Sequence, residues 1–374
     1  MDETTTPHDQ HAHSRADAAP GPPRGRRVWS RRRIMLLAAG VLAVPLAGNT
    51  ASVLTQTTEA SGGQIMRLPG GDLHVVQDGP PGGPTVVLLH GLAGSTTWWD
   101  PVLPALRDRH VVRVDLLGHG HSAKPAGGYG IAEQARRLGA VLDRLGVRHA
   151  TVAGHSTGGA VATSLAEQRH DLVGGIALID TGPRANAYIG DSLTARLMTT
   201  PVIGQVLWRL RSDSTIRDAL STAFTRNVPL PDQVIADVRG MTYRSLTATS
   251  EATHAFLKQQ PVPDRLAHLG LPTLVIFGSQ DRRWQPSSAQ DYRRVPHARI
   301  EIRRCRPHTH VRGPRHHRSP PARLHPHHRA ALTRPSPADR LTDGLETARQ
   351  REAPHLPGRS QSRHPCRDRE RPAR

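Results

Sequence analysis

Ser156 sits between two glycines in Gly154-His155-Ser156-Thr157-Gly158, after the apolar run Ala150-Thr151-Val152-Ala153 and before the small residues Gly159-Ala160-Val161-Ala162. A serine hydroxyl becomes a nucleophile when it is exposed and a neighbouring base can take its proton, so its setting matters more than its identity. Flanking glycines permit a sharp strand-to-helix turn, with the hydroxyl at its tip and neighbouring backbone free to approach. The chemistry this suggests is covalent acyl transfer; the competing explanation is a small residue kept only for close packing. Four histidines, His90, His119, His121 and His155, fall in loops beside apolar runs, where hydrogen bonding within turns is their expected work. There is no His-x-x-x-His on a helical stretch and no cysteine pair before residue 303, so no metal site and no cofactor is expected.

A nucleophile on such a turn needs a rigid strand beneath it, and the sequence supplies a series of them. Thr85–Leu89, His110–Asp115, Ala150–Ala153, Gly175–Asp180, Thr273–Gly278 and Ala298–Ile302 are short apolar runs separated by helix-compatible stretches. Strands alternating with helices predict an α/β fold: a mostly parallel sheet with helices on both faces and chemistry at the carboxyl ends of its strands.

In this order the motifs closely resemble the α/β-hydrolase family, over roughly residues 66–302. The matching pieces are His90-Gly91, the Asp115-x-x-Gly118-His119-Gly120-x-Ser122 loop, the Gly154-x-Ser156-x-Gly158 elbow and Gly278-x-x-Asp281. The resemblance implies Ser156 as nucleophile, Asp281 as the acid, and an oxyanion hole from the backbone amides of Leu92 and Thr157. Two fixed N–H donors stabilise the charge that acyl transfer builds on oxygen. The competing reading of Asp281 is a turn residue capping a helix that begins near Pro286, and Asp180 is the fallback acid. Relatives that open epoxides or remove halides carry Asp at the nucleophile position, so Ser156 points instead to carboxylic esters or related acyl compounds.

Residues 182–264 interrupt the strand rhythm and read as a helical cap inserted after the sixth strand. Trp208, Met241, Tyr243 and Phe256 are candidates to line a pocket beneath it, although apolar residues at helical spacing also describe a cap's own core. Trp98 and Trp99 are expected to pack at the start of the first helix.

The net charge of +19 is a property of the ends: residues 303–374 supply +12, residues 1–33 supply +3, and only +4 remains between them. The basic tail has no Phe, Tyr or Trp on which bases could stack, so no nucleic-acid partner is expected. Both cysteines, Cys305 and Cys366, lie in that tail. Residues 1–33 are polar and basic, with the composition of a disordered segment. Ser30-Arg31-Arg32-Arg33 then precedes the apolar run Ile34–Ala47, and no charge follows until Glu59. That pattern resembles a twin-arginine export signal, and the uncharged stretch of residues 34–58 also suits an uncleaved membrane anchor. Either places the domain outside the cytoplasm, acting on a small acyl substrate.

The pattern fails after Ile302. The family resemblance implies a turn, a Gly-His pair and a closing helix, whereas residues 303–374 are rich in Arg, Pro and His. One explanation is a disordered basic tail. The genetic code offers another. Read one base later, codons for Arg306–Pro314 permit Gly-His-Thr-Pro-(Met or Thr)-Phe-Glu-Asp, which looks like the family's histidine turn, and those for Arg323–Pro326 permit Asp-Phe-Ile-Arg. The expectation is a one-base slip near Arg303 and an out-of-frame tail. As written, His308 or His310 is the histidine nearest the place of the missing base, and the alternative function is a catalytically impaired hydrolase.

Overall fold

Consecutive residues of the central strands point to opposite faces of a sheet, and here both sets are apolar. Val87 and Leu89 enter one buried cluster with Leu138, Leu142 and Leu165, while Val86 and Leu88 enter another with Trp99, Val102 and Leu106. Only a sheet covered on both faces satisfies that pattern. The computed structural model describes residues 62–190, 193–221 and 230–303, the side chains of 193–195 and 221 excepted.

The strands are β1 (Gln64–Met66), β2 (Leu73–Asp78), β3 (Thr85–Leu89), β4 (His110–Val114), β5 (Ala150–His155), β6 (Val173–Ile179), β7 (Thr273–Gly278) and β8 (Ala298–Arg303). They form one sheet in the order β1-β2-β4-β3-β5-β6-β7-β8, antiparallel in its first two pairings and parallel thereafter. The six strands read from the sequence are present, with ends moved by one or two residues. β1 is three residues long and β2 mixes Leu73, Val75 and Val76 with His74, Gln77 and Asp78, so their pattern does not announce them.

Helices α1 (Ile131–Arg144) and α2 (Thr157–Gln168) cover the first face. The second face is covered, among the described residues, by a 3-10 segment, Thr96–Leu106, whose internal Pro101 and Pro104 deny it regular α-helical hydrogen bonding. Between β6 and β7 come α3 (Leu193–Thr199), α4 (Pro201–Leu210), α5 (Asp213–Ser221), α6 (Asp232–Arg239), α7 (Tyr243–Gln259) and α8 (Val262–Ala267). Trp208, Ile216, Leu220, Val234, Ile235, Val238 and Met241 form a separate cap core that closes over Trp98. Phe256, Leu257, Val262 and Leu266 instead join the main core, so the end of α7 and all of α8 belong to the sheet layer.

α2 reaches the sheet more closely than side chains would allow. A Cβ on Gly158 would lie 2.6 Å from the His90 carbonyl oxygen and nearer still to that of Leu89, both of them backbone atoms that cannot step aside. Gly158→Ala should therefore lower stability by about 2–3 kcal/mol or prevent folding, the range for overpacking a fixed site. Urea unfolding of the variant beside wild type measures it.

Candidate active site

The nucleophile candidate is positioned by strain and by backbone contacts. Ser156 joins β5 to α2 at φ 50° and ψ −114°, a left-handed conformation that costs a non-glycine residue about 1–3 kcal/mol. Its amide donates to the Ile179 carbonyl at 2.9 Å, tying the turn to the end of β6. Its side chain is partly exposed in an otherwise buried segment. The Thr157 amide is the first of α2, one of those no helical turn can satisfy, and it lies on the positive end of the helix.

The other implied donor, Leu92, lies in the turn after β3, held from several directions. His90 Nε2 accepts from the Leu116 amide at 3.0 Å while Nδ1 pairs with the Gly91 carbonyl at 2.8 Å, which fixes a neutral tautomer with Nδ1 as donor. Burial lowers the His90 pKa, more than nearby Asp115 raises it. At Gly91 a Cβ would stand 2.5 Å from His155 Nδ1, so the imidazole of the elbow packs directly against the backbone of this turn.

Behind both stands Asp115. Its carboxylate accepts from His74 Nδ1 at 2.8 Å, the Thr96 amide at 2.6 Å and the His121 amide at 2.9 Å. Burial opposes ionisation, yet the His74 hydrogen bond and the adjacent histidines hold the carboxyl below the usual range. Gly120, at φ 45°, has no room for a side chain because a Cβ would lie 2.6 Å from Asp115 Oδ1. Burial pushes His119 down to about 3, so its imidazole is neutral at neutral pH. Of the four loop histidines, His90 and His119 make the side-chain hydrogen bonds within turns expected of them.

Asp281 follows β7, two strands along from the elbow. Its Oδ1 accepts from the amides of Arg283 at 2.7 Å and Trp284 at 3.1 Å, the turn-capping arrangement. Its Oδ2 is buried and has no hydrogen-bond partner among the described residues. Burial accordingly pushes the carboxyl up to about 6, against the pull of those two amides. Asp180, at φ 44°, spends Oδ1 on the Gly278 amide at 2.8 Å and so fastens β6 to β7. The two strand ends are further joined by Tyr292 Oη, which donates to the Thr181 carbonyl at 2.9 Å.

From above, Thr253 of α7 meets Thr157 with hydroxyls 3.1 Å apart. Asp237 of α6 accepts from the hydroxyls of Ser95 and Thr97, the latter at 3.0 Å. Of the four pocket candidates, Trp208 and Met241 are buried in the cap core, where Trp208 Nε1 donates to the Met241 carbonyl at 3.1 Å. Tyr243 Oη donates to the Met198 carbonyl at 2.8 Å, and Phe256 lies in the main core beneath the Arg265 guanidinium, 4.0 Å from its ring centre. All four are used in packing. Trp98 and Trp99 both lie near the start of the 3-10 segment, as expected, Trp99 packing on the sheet and Trp98 against the cap. His308 and His310 lie outside the described residues.

A family model for the alpha/beta hydrolase fold matches residues 84–313. The chain belongs to that family. Among named relatives, the 2-succinyl-6-hydroxy-2,4-cyclohexadiene-1-carboxylate synthase of Pectobacterium atrosepticum is 32% identical over 227 residues, 55% of this chain and 81% of the relative. Haloalkane dehalogenase 2 of Mycobacterium tuberculosis is 31% identical over 231 residues, 58% of this chain and 78% of the relative. The enol-lactonase of Burkholderia xenovorans LB400 superposes with a TM-score of 0.55 at 22% identity, covering 66% of this chain and 94% of that one, a likeness of fold. The family supports a hydrolase-type architecture whose motifs converge on Ser156.

The unpartnered Asp281 oxygen has a measurable consequence. A carboxyl whose folded pKa is raised binds more protons folded than unfolded between pH 4 and 6, so stability falls as pH rises through that window. Asp281→Asn removes the titration. The stability of the variant relative to wild type should therefore rise by about 2–3 kcal/mol between pH 4 and pH 8, the equivalent of roughly two pKa units. Chemical denaturation of both proteins across that range tests it, and a constant difference would contradict it.

Proposed function

We propose that this chain is built as a serine hydrolase of carboxylic esters or related acyl compounds. The single observation that carries the reading is Ser156 at positive φ on the β5–α2 turn, next to the first amide of α2. Ser156 Oγ attacks the carbonyl carbon and its proton passes to a base. The carbonyl oxygen takes up negative charge opposite the Leu92 and Thr157 amides, and the alcohol leaves with the proton. Water then releases the acid from the acyl-enzyme by the same route. Serine rather than aspartate at position 156 separates the chain chemically from halide removal, whatever its likeness to a dehalogenase.

A second reading, catalytic impairment, is favoured by Asp281 Oδ2. A buried carboxylate oxygen with no donor among the described residues is what an acid without its partner histidine would show. Loss of a triad member leaves a rate about 10³–10⁴-fold above water, from the oxyanion donors and binding alone. A fluorophosphonate probe should label Ser156 alone, slowly, and Ser156→Ala should abolish the labelling. Mass spectrometry locating the label on another serine would overturn the assignment.

We also propose that the tail after Arg303 is translated one base out of frame, and that the shifted frame carries the absent base. Support comes from the coincidence of two things: the loss of apolar pattern in the sequence after Ile302, and the Gly-His-Thr-Pro reading allowed by the codons. A general base contributes about 10²–10⁴-fold. Expression of the gene with one base corrected after the Arg303 codon should raise ester hydrolysis by that factor over the chain as written. Equal rates from both would sink the frame proposal while leaving Ser156 labelling intact.

A further inference from the structure

The turn that carries the Leu92 amide is strained and has little of its own to hold it. Gly94 donates its amide to the Gly91 carbonyl at 3.0 Å and closes the turn. Between them Ala93 stands at φ 62°, a left-handed conformation that a Cβ disfavours. Downstream, the Thr96 amide is fixed from the sheet side by Asp115 at 2.6 Å. A single tether leaves a loop free to swing about it, and swinging would carry the Leu92 amide along.

A second tether comes from the cap. Asp237 is buried on α6, where the neighbouring Val234, Ile235 and Val238 belong to the apolar cap core. Its Oδ2 accepts from the hydroxyls of Ser95 and Thr97, the two residues that flank Thr96. Its Oδ1 accepts from Gln233 Nε2, one helical turn earlier, at 2.8 Å, which sets the plane of the carboxylate. Ala93 packs against the same cap core, so the cap touches the chain on both sides of Gly94. A buried carboxylate is costly to desolvate, and an apolar side chain would fasten the cap here at less cost. What the carboxylate adds is direction, because one oxygen receives both hydroxyls.

Building on the assignment of Ser156 as nucleophile and of the Leu92 amide as an oxyanion donor, we propose that Asp237 is a positioning residue. By fixing Ser95 and Thr97 it holds the strained turn, and with it the Leu92 amide, where negative charge develops. Donors of this kind accelerate acyl transfer only when they are placed in advance. The test follows phosphonylation of the full-length chain by a fluorophosphonate, in which Ser156 Oγ displaces fluoride from phosphorus. Rates taken across probe concentration separate binding from bond formation. Asp237→Ala should lower the maximal rate at least about tenfold at a similar half-saturating concentration, part of the roughly 10²–10³ lost with a whole oxyanion donor. Asp237→Asn keeps an oxygen for both hydroxyls and should stay within about threefold of the unaltered chain, having lost only the charge assistance. Arg217→Gln cuts the tie from α5 to Asp232 of α6, controls for a loosened cap, and should leave the rate unchanged. Amide hydrogen exchange over residues 91–99 should quicken in Asp237→Ala and recover in Asp237→Asn, with β5 and β6 unaffected. An undiminished maximal rate in Asp237→Ala, with Ser156 still labelled, would overturn the proposal and leave the hydrolase assignment standing. So would a loss that Asp237→Asn fails to restore or that Arg217→Gln shares. An unaltered chain with no label on Ser156 would overturn both. If circular dichroism shows that Asp237→Ala has not folded, Thr97→Val decides from the other side of the contact. It deletes one of the two hydroxyl donors, and a rate lowered less than about threefold would contradict the proposal.

Discussion

The buried carboxylate of Asp115 holds the site together. It takes hydrogen bonds from three separate parts of the chain: His74 on β2, Thr96 at the head of the 3-10 segment, and His121 in the loop beyond β4. Desolvating a charge is costly unless its lone pairs are used, and this one is fully committed. Ser122 extends the arrangement, donating to the Asp115 carbonyl at 2.6 Å and accepting from the His74 amide at 2.8 Å. A single anion thus sets the path of the loop that bears the Leu92 amide, although it lies outside any bond-making step.

A chain of backbone contacts runs in parallel across the carboxyl ends of the strands. The elbow is bonded to the end of β6 through Ile179, and β6 is fastened to β7 by Asp180. Tyr292 reaches from beyond β7 back to Thr181. Ser156 and Asp281, the proposed nucleophile and acid, are therefore placed by short hydrogen bonds between adjacent parallel strands. Such placement is stiffer than side-chain packing alone, which suits chemistry that tolerates little misalignment.

Much of this was legible in the sequence because local rules govern it. The Gly-x-Ser-x-Gly spacing requires a turn that only glycines permit, and the structure places backbone atoms where their side chains would be. The apolar runs became strands because both faces of the sheet are buried. What escaped the sequence depends on distant pairing. His74 looks like an ordinary polar residue until β2 is laid beside β4, which brings it to Asp115. Asp237 sits within Val234–Val238, a stretch whose spacing announces only a helix, and no local signal shows that it meets Ser95 and Thr97. The aromatic candidates misled for the same reason: helical spacing shows that a residue is buried, and leaves open whether it faces a pocket, the cap core or the sheet.

The contact of Asp237 with Ser95 and Thr97 reaches beyond cap attachment. It joins the cap to the loop that bears the Leu92 amide, the proposed oxyanion donor. Lifting α6 would strip two hydroxyls of their acceptor and let that loop relax, so the same movement that admits a ligand also slackens the electrophile-activating amide. Full activation would then await the cap's return. A ligand that drifts away before closure would go unreacted, and selectivity would become a matter of dwell time.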